Sequence, residues 1–336
     1  MSSTLLAIAL LIGSAVVIYL ACEYFVNGVE WVGRKLAVGQ QATGSILAAF
    51  GTALPESVVT FIAVVFGTSP EQKAIGVGAA LGGPLVLSTI AYGVVGLTLF
   101  VLRRHLPHTE AIRRDFKHLS RDQSWFLMIF GVKIVLGLVV FAFKPWLAFA
   151  FLAAYGVYFW KVMRAEQGEE EEGEPEPLKL TPRRDTPTTR AAVTQTLVAL
   201  IVIFAASRLF VDQLDALGPL LGIPSQTLAL LLSPIATELP ETLNAIIWVR
   251  QRKYRLALAN ISGAMMIQAT VPTALGLFFT SWLFDKALIL AAAVTIIAVA
   301  AMFFAFRRGI ISRALLAAMV ALYGLFALLL VTLHGV

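Results

Sequence analysis

The chain has 336 residues, of which 59% are hydrophobic and only 14% charged, with a mean hydropathy of +0.84 and a net charge of +6. A soluble domain carries about 25% charged residues, so these values exclude an ordinary soluble protein and point to a polytopic membrane protein. The single cysteine, Cys22, excludes an internal disulfide.

Apolar runs long enough to cross a hydrocarbon core of roughly 30 Å follow one another along the chain. They predict spans at 4–32, 41–67, 74–102, 123–142 and 145–163, then at 191–216, 225–249, 255–282, 286–306 and 312–333. Leu5–Leu20 lacks a basic leading segment and a small-residue cleavage site, so it reads as a first span and not as a removable signal. The length of the first and third spans implies tilt or an end that protrudes into the interface. Between the two sets of five, residues 165–190 hold GEEEEGEPEP and then a Pro/Thr/Arg stretch. That composition cannot bury a core and reads as a disordered cytoplasmic linker.

Lysine and arginine crowd the loops after the odd-numbered spans, Arg34, Arg103, Arg113, Arg250 and Arg307 among them. The opposite loops have Lys73, Lys144 and Lys286. The positive-inside rule makes the crowded side cytoplasmic and sets both termini outside. This topology accounts for the net charge, so no nucleic-acid partner is expected. Lys133 and Arg208 fall within spans, where Lys133 is expected to snorkel or pair. The six tryptophans sit near predicted span ends, as an aromatic belt requires.

One phrase occurs twice: GTALPES at 51–57 and ATELPET at 236–242. The halves align around it without a gap. Phe25-Val26-Asn27 falls on Phe210-Val211-Asp212, and Leu54-Pro55-Glu56 on Leu239-Pro240-Glu241. Five spans per half is an odd number, so the second half enters the membrane from the other side. The expected fold class is an all-α membrane protein, with ten transmembrane helices as two inverted five-helix repeats. The first repeat is 1–164, the acidic, proline-rich linker 165–190 and the second repeat 191–336. Inverted repeats place their sites near the bilayer midplane.

The repeated phrase has its own chemistry. Proline lacks an N–H and clashes with the carbonyl four residues earlier, so Pro55 frees the Gly51 carbonyl and Pro240 that of Ala236. Bare carbonyls in hydrocarbon cost several kcal/mol unless partnered, and a cation is one such partner. Thr52 and Glu56 are spaced i,i+4, as are Thr237 and Glu241, so each pair is expected on one helix face. Two such sets facing each other make an all-oxygen cage, which suits a hard cation such as Ca²⁺. Carboxylates at membrane depth are costly and mark ion sites.

These phrases, with the small-residue helices before them in GSILAAFGTALPES and LALLLSPIATELPET, resemble the cation/calcium exchanger superfamily, which includes the sodium/calcium exchangers. The resemblance covers nearly the whole chain and is strongest over 20–90 and 205–275. It implies a secondary antiporter of ten helices that moves a cation, Ca²⁺ first, against H⁺ or Na⁺ by alternating access. It implies an integral protein of a bacterial-type inner membrane, whose partners are the lipid bilayer and inorganic cations, with no permanently bound cofactor. It does not imply an enzyme. By carry-over, Glu56 and Glu241 are the main calcium carboxylates, Thr52 and Thr237 add oxygens, and spans one and six are the sliding gates.

The chain departs from the family in a second stretch of each repeat. There GAALGGPLVL (78–87) and ANISGAMMIQ (259–268) put Gly83 and Ala264 at the usual serines, and Leu87 and Gln268 at the usual Asn or Asp. The serine before LPE is Ala53 in one repeat and Glu238 in the other. In the family those hydroxyls help to coordinate sodium. Glu238 lies i,i+3 from Glu241, and two close carboxylates in low dielectric do not both ionise readily, which favours a protonatable site. Glu238 turning instead to span eight, or to water, is the plainer alternative. For Gln268, ligation and a helix–helix hydrogen bond stay open. Antiport of another cation (Mg²⁺, Mn²⁺ or Na⁺/H⁺), a passive channel and a non-transporting sensor are the rival functions.

Overall fold

The computed structural model describes residues 2–35, 54–106, 110–165, 176–183 and 186–334. Among these the chain is all-helical, with no strand. In chain order come α1 (Ser2–Lys35), α2 (Leu54–Phe66), α3 (Pro70–Val86), α4 (Tyr92–Val101), α5 (Glu110–Leu138) and α6 (Ala148–Ala165). Then follow α7 (Thr189–Leu221), α8 (Ser225–Thr237), α9 (Leu239–Arg250), α10 (Tyr254–Phe279), α11 (Lys286–Arg308) and α12 (Arg313–His334). Six helical stretches among the described residues are long and apolar enough to cross a membrane: Thr4–Gly33, Pro70–Val101, Thr189–Leu221, Tyr254–Phe279, Lys286–Arg308 and Arg313–Thr332.

The stops and starts follow local chemistry. The Ser69 hydroxyl accepts from Gln72 N at the start of α3, Thr188 from Ala191 N in α7 and Asp285 from Leu288 N in α11, each satisfying an orphan N–H of the first turn. Gly222 and Gly309 end α7 and α11 at positive φ, a left-handed conformation that glycine takes at no steric cost. Between α3 and α4 the helix widens into a π turn, Leu87–Ala91. Pro84 stands just before it, and the Ser88 and Thr89 hydroxyls both donate to Leu85 O. Span seven is interrupted at the single residue Glu238, whose N–H still donates to Pro234 O (2.9 Å) and whose carbonyl accepts from Thr242 N (3.1 Å). At Glu238 the backbone turns to φ −98°, ψ 4°, and α9 begins with Pro240 in its first turn.

Two helix pairs frame the molecule. Gly28 of α1 meets Ala192 and Thr196 of α7, while Ala9 to Val17 share a groove with Ile201 to Leu209, so α1 and α7 run antiparallel. Their outer faces carry exposed Leu5, Ile12, Leu197 and Val198, as lipid contact requires. In the second pair, Gly78 and Gly82 of α3 press on the α8 backbone. A Cβ at Gly78 would stand 2.2 Å from Gln226 O, and one at Gly82 2.4 Å from Leu230 O and 2.5 Å from Pro234 Cγ. This is small-xxx-small packing, in which missing side chains let backbones touch. A buried triad, Tyr92, Gln123 and Ser262, joins α4, α5 and α10 through bonds of 2.8–2.9 Å.

Residues 176–183 correct part of the disorder expected over 165–190. They form a strap against α1 and α7. Asn27 Nδ2 donates to Glu176 O (3.1 Å), Trp31 Nε1 donates to the same carbonyl (2.9 Å), and Lys179 N donates to Asn27 Oδ1 (2.9 Å). Leu180 N donates to Gln195 Oε1 of α7 (2.7 Å), Leu178 is fully buried, and Lys179 Nζ pairs with Glu23 at 2.9 Å. Trp31 and Trp282 therefore do not join an aromatic belt. They are 7% and 0% exposed, and each indole N–H donates to a backbone carbonyl.

Candidate functional site

The interruption of span seven builds the site. It leaves Thr237 in the last turn of α8, Glu238 at the junction and Glu241 in the first turn of α9. A carboxylate in a first turn is favoured by the helix dipole. Glu56, near the described start of α2, enters from the other half of the chain. Glu56, Thr237 and Glu241 have no exposure and Glu238 has 1%.

Thr237 and Glu241, the i,i+4 pair expected on one face, lie on either side of the junction at Glu238. The Thr237 hydroxyl reaches across the halves. Thr237 Oγ1 lies 2.8 Å from Glu56 Oε2 and 3.0 Å from Glu238 Oε1, and it is also 3.1 Å from Ser233 O. One hydroxyl has one proton to donate, so it bridges two carboxylates fully only when one of them carries a proton. Ser233 Oγ is a further neighbour of Glu56, at 3.5 Å. Its signal in the sequence was its place just before Pro234, in the small-residue helix that leads into the motif.

The remaining oxygens of Glu56 and Glu238, Oε1 and Oε2 respectively, are buried without a hydrogen-bond partner among the described residues. So are both amide atoms of Gln268 and the Thr273 hydroxyl. Buried carboxylate oxygens left bare are costly, and these are hard donors of the kind that suits a divalent cation. Gln268 comes beside Glu238 on α10. It also rests on Gly83, where a Cβ would lie 2.7 Å from its Oε1. The glycine at one departed family position thus makes room for the glutamine at another.

Not every expected ligand is brought in. Gly51 and Thr52 lie outside the described residues, and with them the first-repeat half of the cage. Ala236 is buried in the last turn of α8. Among the described residues no three His, Cys, Asp or Glu side chains stand close enough to hold one metal ion together. Among the described residues the Glu56–Thr237–Glu238 bridge is the close constellation. Glu23 and Arg208 do not pair with each other. Glu23 takes Lys179, and Arg208 takes Asp212 at 3.5 Å and Phe66 O at 2.8 Å.

The model of the family described as sodium/calcium exchanger protein matches residues 6–163 and 191–332, on either side of the linker. The chain belongs to the sodium/calcium exchanger family. A relative is inner membrane protein YrbG of Escherichia coli (strain K12), 27% identical over 274 residues that make up 80% of this chain and 78% of that protein. Two solved structures share the fold. The H⁺/Ca²⁺ exchanger CAX superposes with a TM-score of 0.67 at 17% identity, covering 98% of this chain and 88% of that one. The sodium–calcium exchanger NCX_Mj, soaked with Na⁺ and Sr²⁺, gives 0.59 at 18% identity, covering 96% and 98%. The exchanger is an integral membrane protein, and it is not an enzyme.

Proposed function

We propose that this exchanger is a secondary antiporter that moves a divalent cation, Ca²⁺, against protons by alternating access. The observation that carries the reading is the bridge from Glu56 in one half to Glu238 in the other through the Thr237 hydroxyl, all three buried. A cation entering between the two carboxylates neutralises both. When it leaves, two protons taken up by the pair, one on each carboxyl group, neutralise both, and the Thr237 hydroxyl then donates to one and accepts from the other. Either state removes bare charge from low dielectric, and a half-loaded state does not, which is the requirement for coupled exchange.

Protons are favoured over sodium because the hydroxyls at the family's sodium-coordinating positions are missing. Gly83 and Ala264 carry no hydroxyl, and the space at Gly83 is filled by the Gln268 amide. Glu241, Gln268 and the Ala236 carbonyl complete the coordination on the second-repeat side, with Thr52 and the Gly51 carbonyl on the first. The antiparallel run of α1 and α7 supports two inverted five-helix repeats, ten spans in all, joined by a cytoplasmic linker. The basic loops support a topology with both termini outside an inner membrane such as the one that names the E. coli relative. The test is radioactive Ca²⁺ uptake into proteoliposomes. Glu56→Gln and Glu241→Gln should each abolish it, and near-normal uptake by either variant would refute the site.

A further inference from the structure

Lys133 has no counterpart in the repeated motifs, and the site described above does not use it. Its place in the fold is unusual. It lies on α5 with no exposure, the one lysine or arginine among the described residues so completely buried. An ammonium in hydrocarbon is costly and needs compensation. Three features supply it. Nζ donates to Ala80 O at 2.7 Å, which is the carbonyl that Pro84, four residues on, leaves without an amide partner. The rings of Phe130 and Trp282 flank the ammonium at 5.2 and 5.7 Å from their centroids, within cation–π range. Glu56 is near enough for the two charges to attract.

Ala80 is one helical turn, about 4.5 Å of rise, from Gly83, on which Gln268 rests. The ammonium therefore stands at the level of the site, held where a loose cation would otherwise collect. Its stem has no exposure, and the Trp282 indole N–H donates to the Lys133 backbone carbonyl at 3.3 Å.

We propose that the Lys133 ammonium is a tethered cation that tunes the charge of the site, offsetting part of the negative charge of the buried carboxylates Glu56 and Glu238 that an incoming cation meets. The proposal rests on the reading of those carboxylates as the cation site. It assigns Lys133 a role in charge selectivity and not in ligation. Without it the site would carry one more uncompensated negative charge and would shift its preference towards an ion of higher charge.

Ca²⁺ and Tb³⁺ have nearly the same radius and differ by one charge, so the ratio of their affinities reads the charge of the site. Both are measured on the purified full-length protein in detergent. Lys133→Gln keeps an N–H donor and removes the charge, and it should raise the Tb³⁺/Ca²⁺ affinity ratio on the order of tenfold. That is the scale for unit charges about 10 Å apart at an effective dielectric of about 20. Lys133→Arg should keep the wild-type ratio. The double variant Lys133→Gln/Glu238→Gln restores the charge balance and should return the ratio to near wild type, even if Lys133→Gln alone is not recovered folded. A lysine that merely caps Ala80 would shift both affinities together, so an unchanged ratio in Lys133→Gln contradicts the proposal. So does a double variant whose ratio departs from wild type, or one that does not fold. If the wild type binds neither ion, the carboxylate site itself is wrong. If it binds both and the ratio does not move, the tethered charge alone is wrong.

Discussion

Gln268 rests on the bare Cα of Gly83, close enough that a Cβ there would stand 2.7 Å from its Oε1 and 2.9 Å from its Cδ. Two departures from the family pattern, on α3 and α10, are thus one packing arrangement. The atoms in the way belong to the free end of a flexible side chain. Gly83→Ala should therefore fold, with a stability change within about 1 kcal/mol, while it swings Gln268 away from Glu238 and weakens Ca²⁺ binding. Calorimetric titration checks this, and an unaltered affinity would remove Gln268 from the site.

Gly82, one residue earlier, gives the opposite expectation. Its Cβ would meet backbone and ring, Leu230 O at 2.4 Å and Pro234 Cγ at 2.5 Å. Neither gives way without parting α3 from α8. Gly82→Ala should destabilise the protein by roughly 1–3 kcal/mol, seen as a lower Tm in detergent. A Tm equal to that of Gly83→Ala would contradict the close packing of these helices.

The Thr237 bridge predicts a contrast between isosteres. Thr237→Val keeps the shape and deletes the hydroxyl that Glu56 and Glu238 share. Hydrogen bonds to charged groups contribute about 1.5–3 kcal/mol, so Ca²⁺ affinity should fall on the order of tenfold or more, while Thr237→Ser stays near wild type. Equal affinities in the two variants would show that the hydroxyl does not organise the carboxylates.

Glu238→Gln tests proton coupling separately from binding. It removes one titrating member of the bridged pair, so the dependence of Ca²⁺ uptake on pH should become shallower. A pH profile superimposable on wild type would assign the protons elsewhere.

The strap makes a prediction about stability. Asn27 holds Glu176 O, Lys179 N and the Gln195 amide at once. Asn27→Ala should lower stability by about 1–2 kcal/mol and speed proteolytic cutting between 166 and 190. An unchanged Tm with unchanged cutting would mean that the strap contributes little to holding α1 and α7.

The sequence was most legible where hydrophobic length decides the structure. Expected limits of 191–216, 255–282, 286–306 and 312–333 lie close to α7, α10, α11 and α12, because a bilayer imposes its thickness on the chain. Pro240 announced a disturbance in span seven, but whether a helix bends or stops depends on what receives its free groups. Here Glu238 and Thr237 turn towards Glu56, far away in sequence. Long-range partners were hidden in the same way at Leu178. Its prolines and charged neighbours read as linker, yet Asn27, Trp31 and Gln195, reaching from two helices, bond to the backbone of that strap. Trp282 sat at a span end and read as interface, yet it fills the space beside Gly276, where a Cβ would stand 2.0 Å from its ring. Glu56 and Glu241 were legible because the phrase around them is repeated. Lys133 and Ser233 lie outside the repeated phrase, and that signal did not reach them.

The most direct test is Ca²⁺ uptake into proteoliposomes holding the wild-type protein, with an outward proton gradient in one arm and an outward sodium gradient in the other. The exchanger should accumulate Ca²⁺ in the proton arm, without sodium, and not in the sodium arm. Uptake driven by sodium alone, or by neither gradient, would contradict Ca²⁺/H⁺ exchange at the Glu56–Thr237–Glu238 bridge.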